Sequence, residues 1–315
     1  MSAEAKTYGD VAEIKTSTAV ALAAGQVLQA PDGRAAIYNG LAAAAADDQV
    51  TLQVAGQANV KKSTSVVFLP GQEVWWDATN NQATYRLAGS FFVGTAVLGA
   101  AVADTYVKTE LNKIFPPQIS FTNGRNLWTE AAALGLGVTQ ETNGAAILSF
   151  DAVAEIAMAA IYSDNTIPVD QIQTFEAEVA IFDIGDDAAL DISIGVANAT
   201  HATNMDDATE TCLIHLDGAA LDIKAESDDG TTEVAATDTT VNAVDDTYFF
   251  IQMDFRDIDD IQIYINGANV LPASVFKLDA ATGPLLAIAH IEKTSNDTLA
   301  DVRVREMNLR GRYTG

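Results

Sequence analysis

The stretch YFFIQMDFRDIDDIQIYINGANVL, residues 248–271, holds two runs of aromatic and β-branched side chains around an acidic break. Successive side chains of a strand point to opposite faces, and such residues suit a pleated, half-buried surface. Asn266-Gly267 then supplies the dipeptide that a type I′ hairpin favours, because both central residues of that turn need positive φ. The same character recurs on either side. TFEAEVAIFDI (174–184) alternates polar and apolar residues, and LDISIGV, TCLIHL, LDIKAE, PLLAIAHIEK and LADVRVREMNLRGRY follow in turn. Eight or more such runs with acidic loops predict an antiparallel β-sandwich, a jelly roll.

The N-terminal third also reads as β structure, in short runs broken by Gly, Pro and Asn. Examples are DDQVTLQVAGQANV, STSVVFLPGQEVWW and GSFFVGTAVLGAAVADTYVKTEL. The prediction is a small β-barrel, with LAAAAADD (41–48) as a short helix or a turn. Trp75 and Trp76 are adjacent in sequence, so in a strand they face opposite ways. One belongs in the core, and the other, Trp75, is a candidate interface residue. LNKIFPPQIS (111–120) marks the boundary, because adjacent prolines cannot donate to a sheet ladder and stiffen the chain. The expected organisation is a first domain over residues 1–112, a linker over 113–120 and a sandwich over 121–315.

Charge divides at the same place. Of 315 residues, 17 are Lys or Arg and 43 are Asp or Glu, net -26. Residues up to Phe115 hold 8 basic and 10 acidic side chains, whereas Pro116 onward holds 9 and 33. Such a surface repels a nucleic-acid backbone and an anionic membrane alike, so neither is an expected partner. Asp outnumbers Glu about two to one and Lys is scarce. That composition stays hydrated when salt screens charge, which fits halophilic adaptation, or simply an aggregation-resistant surface. A single cysteine, Cys212 in an apolar run, permits no intrachain disulfide and reads as a buried thiol. No apolar region of signal-peptide type follows Met1, and no run is long enough for a membrane helix, so the chain reads as soluble.

The sequence holds no catalytic constellation. His201, His215 and His290 are its three histidines, and the last two lie in apolar strands, where a packed residue is the ordinary reading. No nucleophile elbow, phosphate loop or zinc-type His/Cys spacing occurs, and no enzyme activity is expected. Asp257, Asp259 and Asp260 make an oxygen-rich loop of the kind that suits Ca²⁺ or Mg²⁺, although the spacing is not that of an EF-hand. Otherwise no cofactor is implied. Arg303, Arg305, Arg310 and Arg312 concentrate positive charge near the C-terminus. They are candidates either for pairing with nearby carboxylates or for docking an acidic neighbour, such as another copy of the chain.

Over residues 5–112 the order of elements resembles the phage capsid decoration (cement) proteins. The residues that carry the likeness are Val54-Ala-Gly56, Lys61, the turn from Gly71 to Asp77, and Gly94-Thr-Ala96. The resemblance implies a small β-barrel on the outer capsid surface of a virion, a homo-oligomer with a trimer favoured, that bridges neighbouring copies of the major capsid protein. The remaining residues depart from that pattern. Their hairpin YFFIQMDF…IQIYINGANVL resembles the lectin-like, concanavalin-type jelly rolls, with no sugar-binding signature to carry over. Together the two resemblances imply a structural virion protein that stabilises an icosahedral shell through its first domain. The acidic sandwich would project outward, free to touch host-surface glycans. The alternative is a carbohydrate-binding or cell-adhesion protein that works mainly through the sandwich.

Overall fold

The computed structural model describes residues 5–8, 13–86, 89–113, 119–121, 128–133, 138–140, 144–184 and 190–311. Its contacts divide the chain into two compact units, Met1–Pro116 with Asn266–Ala268, and Pro117–Ile265 with Asn269–Gly315. Among the described residues no helix is long and apolar enough to cross a membrane.

In chain order the first unit contains β1 (Ala5–Tyr8), β2 (Glu13–Ser17), β3 (Val27–Gln29), β4 (Ala35–Tyr38) and β5 (Gln49–Gln53). It continues with β6 (Gln57–Lys61), β7 (Glu73–Asp77), β8 (Gln82–Thr84), β9 (Phe91–Ala96) and β10 (Tyr106–Leu111). One sheet runs β1-β6-β10-β9-β7-β8 and the other β2-β5-β4-β3. The predicted barrel is therefore not closed. Among the described residues, the end of β6 meets β8 only through one isolated parallel bridge, Lys62 to Ala83. The ladder stops there because the chain turns at Lys62, whose buried ammonium donates to Ser63 O and Val66 O at 2.9 and 2.7 Å. Burial lowers the Lys62 pKa. The N-terminal segment contributes β1 as an edge strand antiparallel to β6.

The helix-or-turn segment resolves as a turn. Ala44 bridges Leu22, and Asp48 accepts a hydrogen bond from Ala45 N at 2.7 Å. A run of five alanines is too short to nucleate a helix by itself, and the Asp side chain satisfies the turn's backbone instead.

The two halves of this unit repeat one design. Phe68 bridges Ala100 as Leu22 bridges Ala44. Gln26 accepts from Ala23 N at 2.8 Å, and Gln72 accepts from Leu69 N at 2.9 Å. Asp104 accepts from Ala101 N at 2.7 Å, as Asp48 does from Ala45 N. Gly25 N reaches Tyr38 O, and Gly71 N reaches Ala96 O, both at 2.8 Å. The second half differs chiefly by the inserted β7–β8 hairpin. One apolar cluster joins the halves and includes Ile37, Val60, Phe68, Val74, Trp76 and Val107.

The second unit opens with β11 (Ile119–Phe121), β12 (Trp128–Ala133), β13 (Val138–Gln140), β14 (Ala146–Phe150), β15 (Glu155–Ser163) and β16 (Ile167–Pro168). The middle strands are β17 (Ile172–Asp183), β18 (Leu190–Ala197), β19 (Glu210–Asp217), β20 (Asp222–Asp229) and β21 (Glu233–Asn242). β22 (Phe249–Asp254), β23 (Gln262–Ile265), β24 (Ala268–Asn269), β25 (Pro284–Asn296) and β26 (Ala300–Gly311) complete it. β13-β14-β26-β17-β22-β23-β24 form one sheet, with β11 also on β26. The other sheet is β12-β15-β25-β18-β19-β20-β21, with β16 also on β25. One core cluster draws on both sheets, from Leu148, Phe175, Val179, Met253 and Leu309 on one to Ile161, Ile192, Ile214 and Ile291 on the other. This is the expected antiparallel sandwich of jelly-roll type: from β17 onward the chain crosses between the sheets at β17–β18, β21–β22, β24–β25 and β25–β26, while β18–β21 and β22–β24 run on within one sheet each. Asn266 and Gly267 take φ of 51° and 77°, as the type I′ reading requires. Ile119 and Ser120, assigned to the linker from sequence, are already strand, paired with Leu309 and Asn308. Residues 114–118 of that linker lie outside the described residues.

Candidate docking face and the predicted site residues

The outer face of the six-stranded sheet carries Trp75. Along β7 the burial alternates, so Val74 and Trp76 enter the core while Glu73, Trp75 and Asp77 face out. Trp76 is 1 % exposed and Trp75 half-buried. The adjacent tryptophans thus divide as strand geometry demands. Trp75 stands on the inserted hairpin, opposite Thr84 of β8 and Phe92 of β9. Its ring meets Phe92 edge-on at 5.7 Å, and the Arg86 guanidinium lies 5.2 Å from its centroid. Its indole N–H donates to Glu73 Oε2 at 3.0 Å. Alternate residues of β6 and β10, among them Asn59, Lys61, Lys108 and Glu110, extend the same face with polar groups. An aromatic cluster with a charged rim is the usual make-up of a protein-binding hot spot.

The hairpin is held rigidly. Asp77 Oδ1 accepts from Thr79 N at 2.8 Å and Asn80 N at 3.1 Å, and Oδ2 accepts from Asn80 Nδ2 at 2.6 Å. These bonds, the Asn80 ones foremost, keep the Asp77 carboxyl below its usual range. Gly94 explains the Gly-x-Ala element. Its φ is 155°, and a Cβ there would sit 2.0 Å from Glu110 O on β10.

The four arginines fare differently. Arg303 pairs with Asp301 at 3.1 Å and lies 3.5 Å from the Phe182 ring. Arg305 pairs with Glu178 at 2.7 Å and stacks 3.6 Å from the Tyr248 ring. Arg310 is buried and pairs with Glu176 at 3.3 Å. Intramolecular pairing, the first of the two expectations, is what the geometry shows for these three. Arg312 lies outside the described residues. A bulge opposite Glu178 and Val179 sets Arg305 and Glu306 side by side on the outer face, bringing Arg310 onto the face of Arg303.

The acidic loop gives no metal geometry. Asp257 Oδ1 accepts from Asp259 N at 3.1 Å, and Asp260 Oδ1 accepts from Gln262 Nε2 at 2.8 Å. The open cleft beside Asp257 and Asp260, about 420 Å³, is shared with Arg256, which Asp254 already binds at 2.6 Å. Among the described residues, both donor triads close enough for one cation contain His215 instead. Sequence reasoning places His215 correctly in a buried strand and misses its neighbours, which arrive from another strand and a loop. Cys212 is buried as expected, and burial pushes its thiol pKa up.

Comparison with known proteins agrees with the first unit. The phage cement protein family matches residues 6–111, about a third of the chain. No curated protein matches. Among solved structures, the potassium-bound Emp46p carbohydrate recognition domain aligns at 10% identity and TM-score 0.43, over 61% of this chain and 95% of that one. A glycoside hydrolase family 16 endo-glucanase from Bacteroides ovatus aligns at 7% and 0.43, over 61% and 99%. The carbohydrate-binding module CBM66 from Bacillus subtilis aligns at 13% and 0.37, over 59% and 97%. With TM-scores below 0.5, these likenesses carry no argument about what the chain binds or cuts. What residues 6–111 resemble is the phage cement protein family, and that match is confined to the first unit.

Proposed function

We propose that the chain is a structural virion protein whose first unit docks on the outer surface of an icosahedral capsid, against the major capsid protein. The observation that carries this reading is the match of residues 6–111 to the phage cement proteins. The Trp75–Phe92–Arg86 cluster supports it, because a half-buried aromatic anchor of this kind contributes several kcal/mol when a partner covers it. Copies of the first unit associate with one another, and many weak contacts sum over the shell through avidity. The acidic sandwich points away from the shell and is available for contact with host-surface glycans. No catalysis is required.

Co-sedimentation of the full chain with expanded, undecorated capsids tests the proposal. The wild-type chain should pellet with capsids in saturable fashion, and Trp75→Ala should weaken this about tenfold or more while the unit stays folded. Absence of pelleting by the wild-type chain overturns the reading. Unchanged binding by the variant moves the docking face elsewhere on the unit.

A further inference from the structure

The outer face of the β12-to-β21 sheet, away from the sandwich core, carries a polar cluster centred on His215. Ser193 of β18 and Lys224 of β20 flank His215 in register across the sheet. Its side chain is 6% exposed. His215 Nε2 lies 2.7 Å from Asp217 Oδ1, and the other oxygen of Asp217 accepts from Lys224 Nζ. Paired with the Lys224 ammonium, Asp217 is held as a carboxylate. A charged carboxylate can only accept, so Nε2 carries the proton and donates. In the neutral ring, the form that ligates metals, this leaves the lone pair on Nδ1.

That nitrogen is buried without a hydrogen-bond partner. It faces Asp206 Oδ1 at 3.9 Å and Glu226 Oε1 at 3.8 Å, too far for a hydrogen bond to either. The three acceptor atoms lie within 4.8 Å of one another. They border a cleft of about 250 Å³ that Thr211 and Glu233 also line. Two carboxylates and a ring nitrogen converging around a small space draw in positive charge, which a proton on Nδ1 supplies when no metal is bound and a cation replaces.

We propose that His215 Nδ1, Glu226 and Asp206 bind a first-row divalent cation, with Zn²⁺ the best match. One imidazole and two carboxylates favour such an ion over Ca²⁺ or Mg²⁺, which prefer all-oxygen shells. Zinc at about 2.1 Å from each donor needs donor spacings of roughly 3.0–3.5 Å. Asp206 and Glu226 each have to approach Nδ1 by about half an ångström, and to approach one another from a spacing of at most 4.8 Å. Asp206 can do so, since it is half exposed on the 3₁₀ turn Met205–Asp207. Asp217 is the positioning residue, because metal-bound histidines commonly donate their other N–H to a carboxylate that fixes the ring. The second triad, Asp191, His215 and Asp217, uses the nitrogen already engaged in that bond.

The cation would fasten a loop to the sheet. Asp206 belongs to the β18–β19 connection, whose Met205 packs on Ala197, Leu213, Leu286 and Ile288 of the same sheet face. His215 and Glu226 belong to the sheet itself. This site is independent of the capsid reading.

Zinc titration of the full, chelator-stripped chain by calorimetry, with visible absorption of the Co²⁺ form as a second readout, tests the proposal. We expect one equivalent of Zn²⁺ bound. Asp206→Asn and Glu226→Gln should each weaken it at least tenfold, and Asp217→Asn about 10–100-fold. Asp206 is exposed, so its variant should keep the metal-free melting temperature and report on binding alone. Three results overturn the proposal. The wild-type chain takes up no zinc, or it takes up zinc with affinity indifferent to Asp206→Asn and Glu226→Gln, or uptake is abolished instead by Asp257→Asn.

Discussion

Asn112 ties the two sheets of the first unit together, and Asn112→Ala should unfold that unit preferentially. Its backbone has φ 54°, a left-handed conformation that Asn tolerates and Ala does not. Its side chain pairs with Ala35 as an edge strand would: Oδ1 accepts from Ala35 N at 2.9 Å and Nδ2 donates to Ala35 O at 2.8 Å. Nδ2 also donates to Val54 O at 2.7 Å. Ala35 is 0% and Val54 2% exposed, so water cannot readily replace these bonds. Three bonds to buried backbone at about 1 kcal/mol each give roughly 3 kcal/mol. The left-handed backbone adds about 1 kcal/mol for Ala. At about 4–8 °C per kcal/mol for a unit of this size, the first-unit melting transition should fall by 15 °C or more. Asn112→Gly removes the bonds without the backbone penalty, and should cost about 1 kcal/mol less. Differential scanning calorimetry of the full chain measures the shift. Exchange of the Ala35 amide, whose acceptor is Asn112, should accelerate in both variants. A shift below about 5 °C for Asn112→Ala, or an unchanged Ala35 exchange rate, would refute the claim that this side chain joins the sheets.

Two further predictions concern backbone approach and buried charge. Gly94→Ala places a methyl group 2.0 Å from Glu110 O, so β9 and β10 must separate. We expect a loss of more than about 3 kcal/mol in urea unfolding, and a loss under about 1 kcal/mol would contradict the close approach. Glu176 is buried, and burial raises its pKa in spite of Arg310. A raised carboxylate is neutral in both states below its unfolded pKa, and it costs stability as pH rises from there toward its folded pKa. Glu176→Gln does not titrate, so its stability relative to wild type should improve from pH 4 to pH 7. Paired denaturant titrations read this, and a relative stability that worsens over that range would mean that the Arg310 pair outweighs burial.

What can be read directly from the chain is what depends on near neighbours. Two-residue alternation put Trp75 and Trp76 on opposite faces, and Asn266-Gly267 marked a hairpin, because strand pleat and turn sterics act over a few residues. The repeat inside the first unit is also written locally, in Leu22-Ala-Ala-Gly-Gln26 and Phe68-Leu-Pro-Gly-Gln72, but the β7–β8 insertion breaks its period and hides it. The bulge that puts Arg305 and Glu306 on one face has no sequence signal, because it is a mismatch of register with β17.

Long-range pairing settled the rest. Whether β6 and β8 close a barrel depends on where the chain turns at the buried Lys62, and only one bridge forms. Sequence by itself determined that His215 is a buried strand residue, from its apolar neighbours. Only the tertiary structure brought Asp217 to one ring nitrogen and Asp206 and Glu226 to the other. The physical reason is that burial follows from local hydrophobic pattern, whereas the convergence of charges follows from strand register and loop path. Those depend on every contact that fixes the sheet, and no short stretch of sequence contains them.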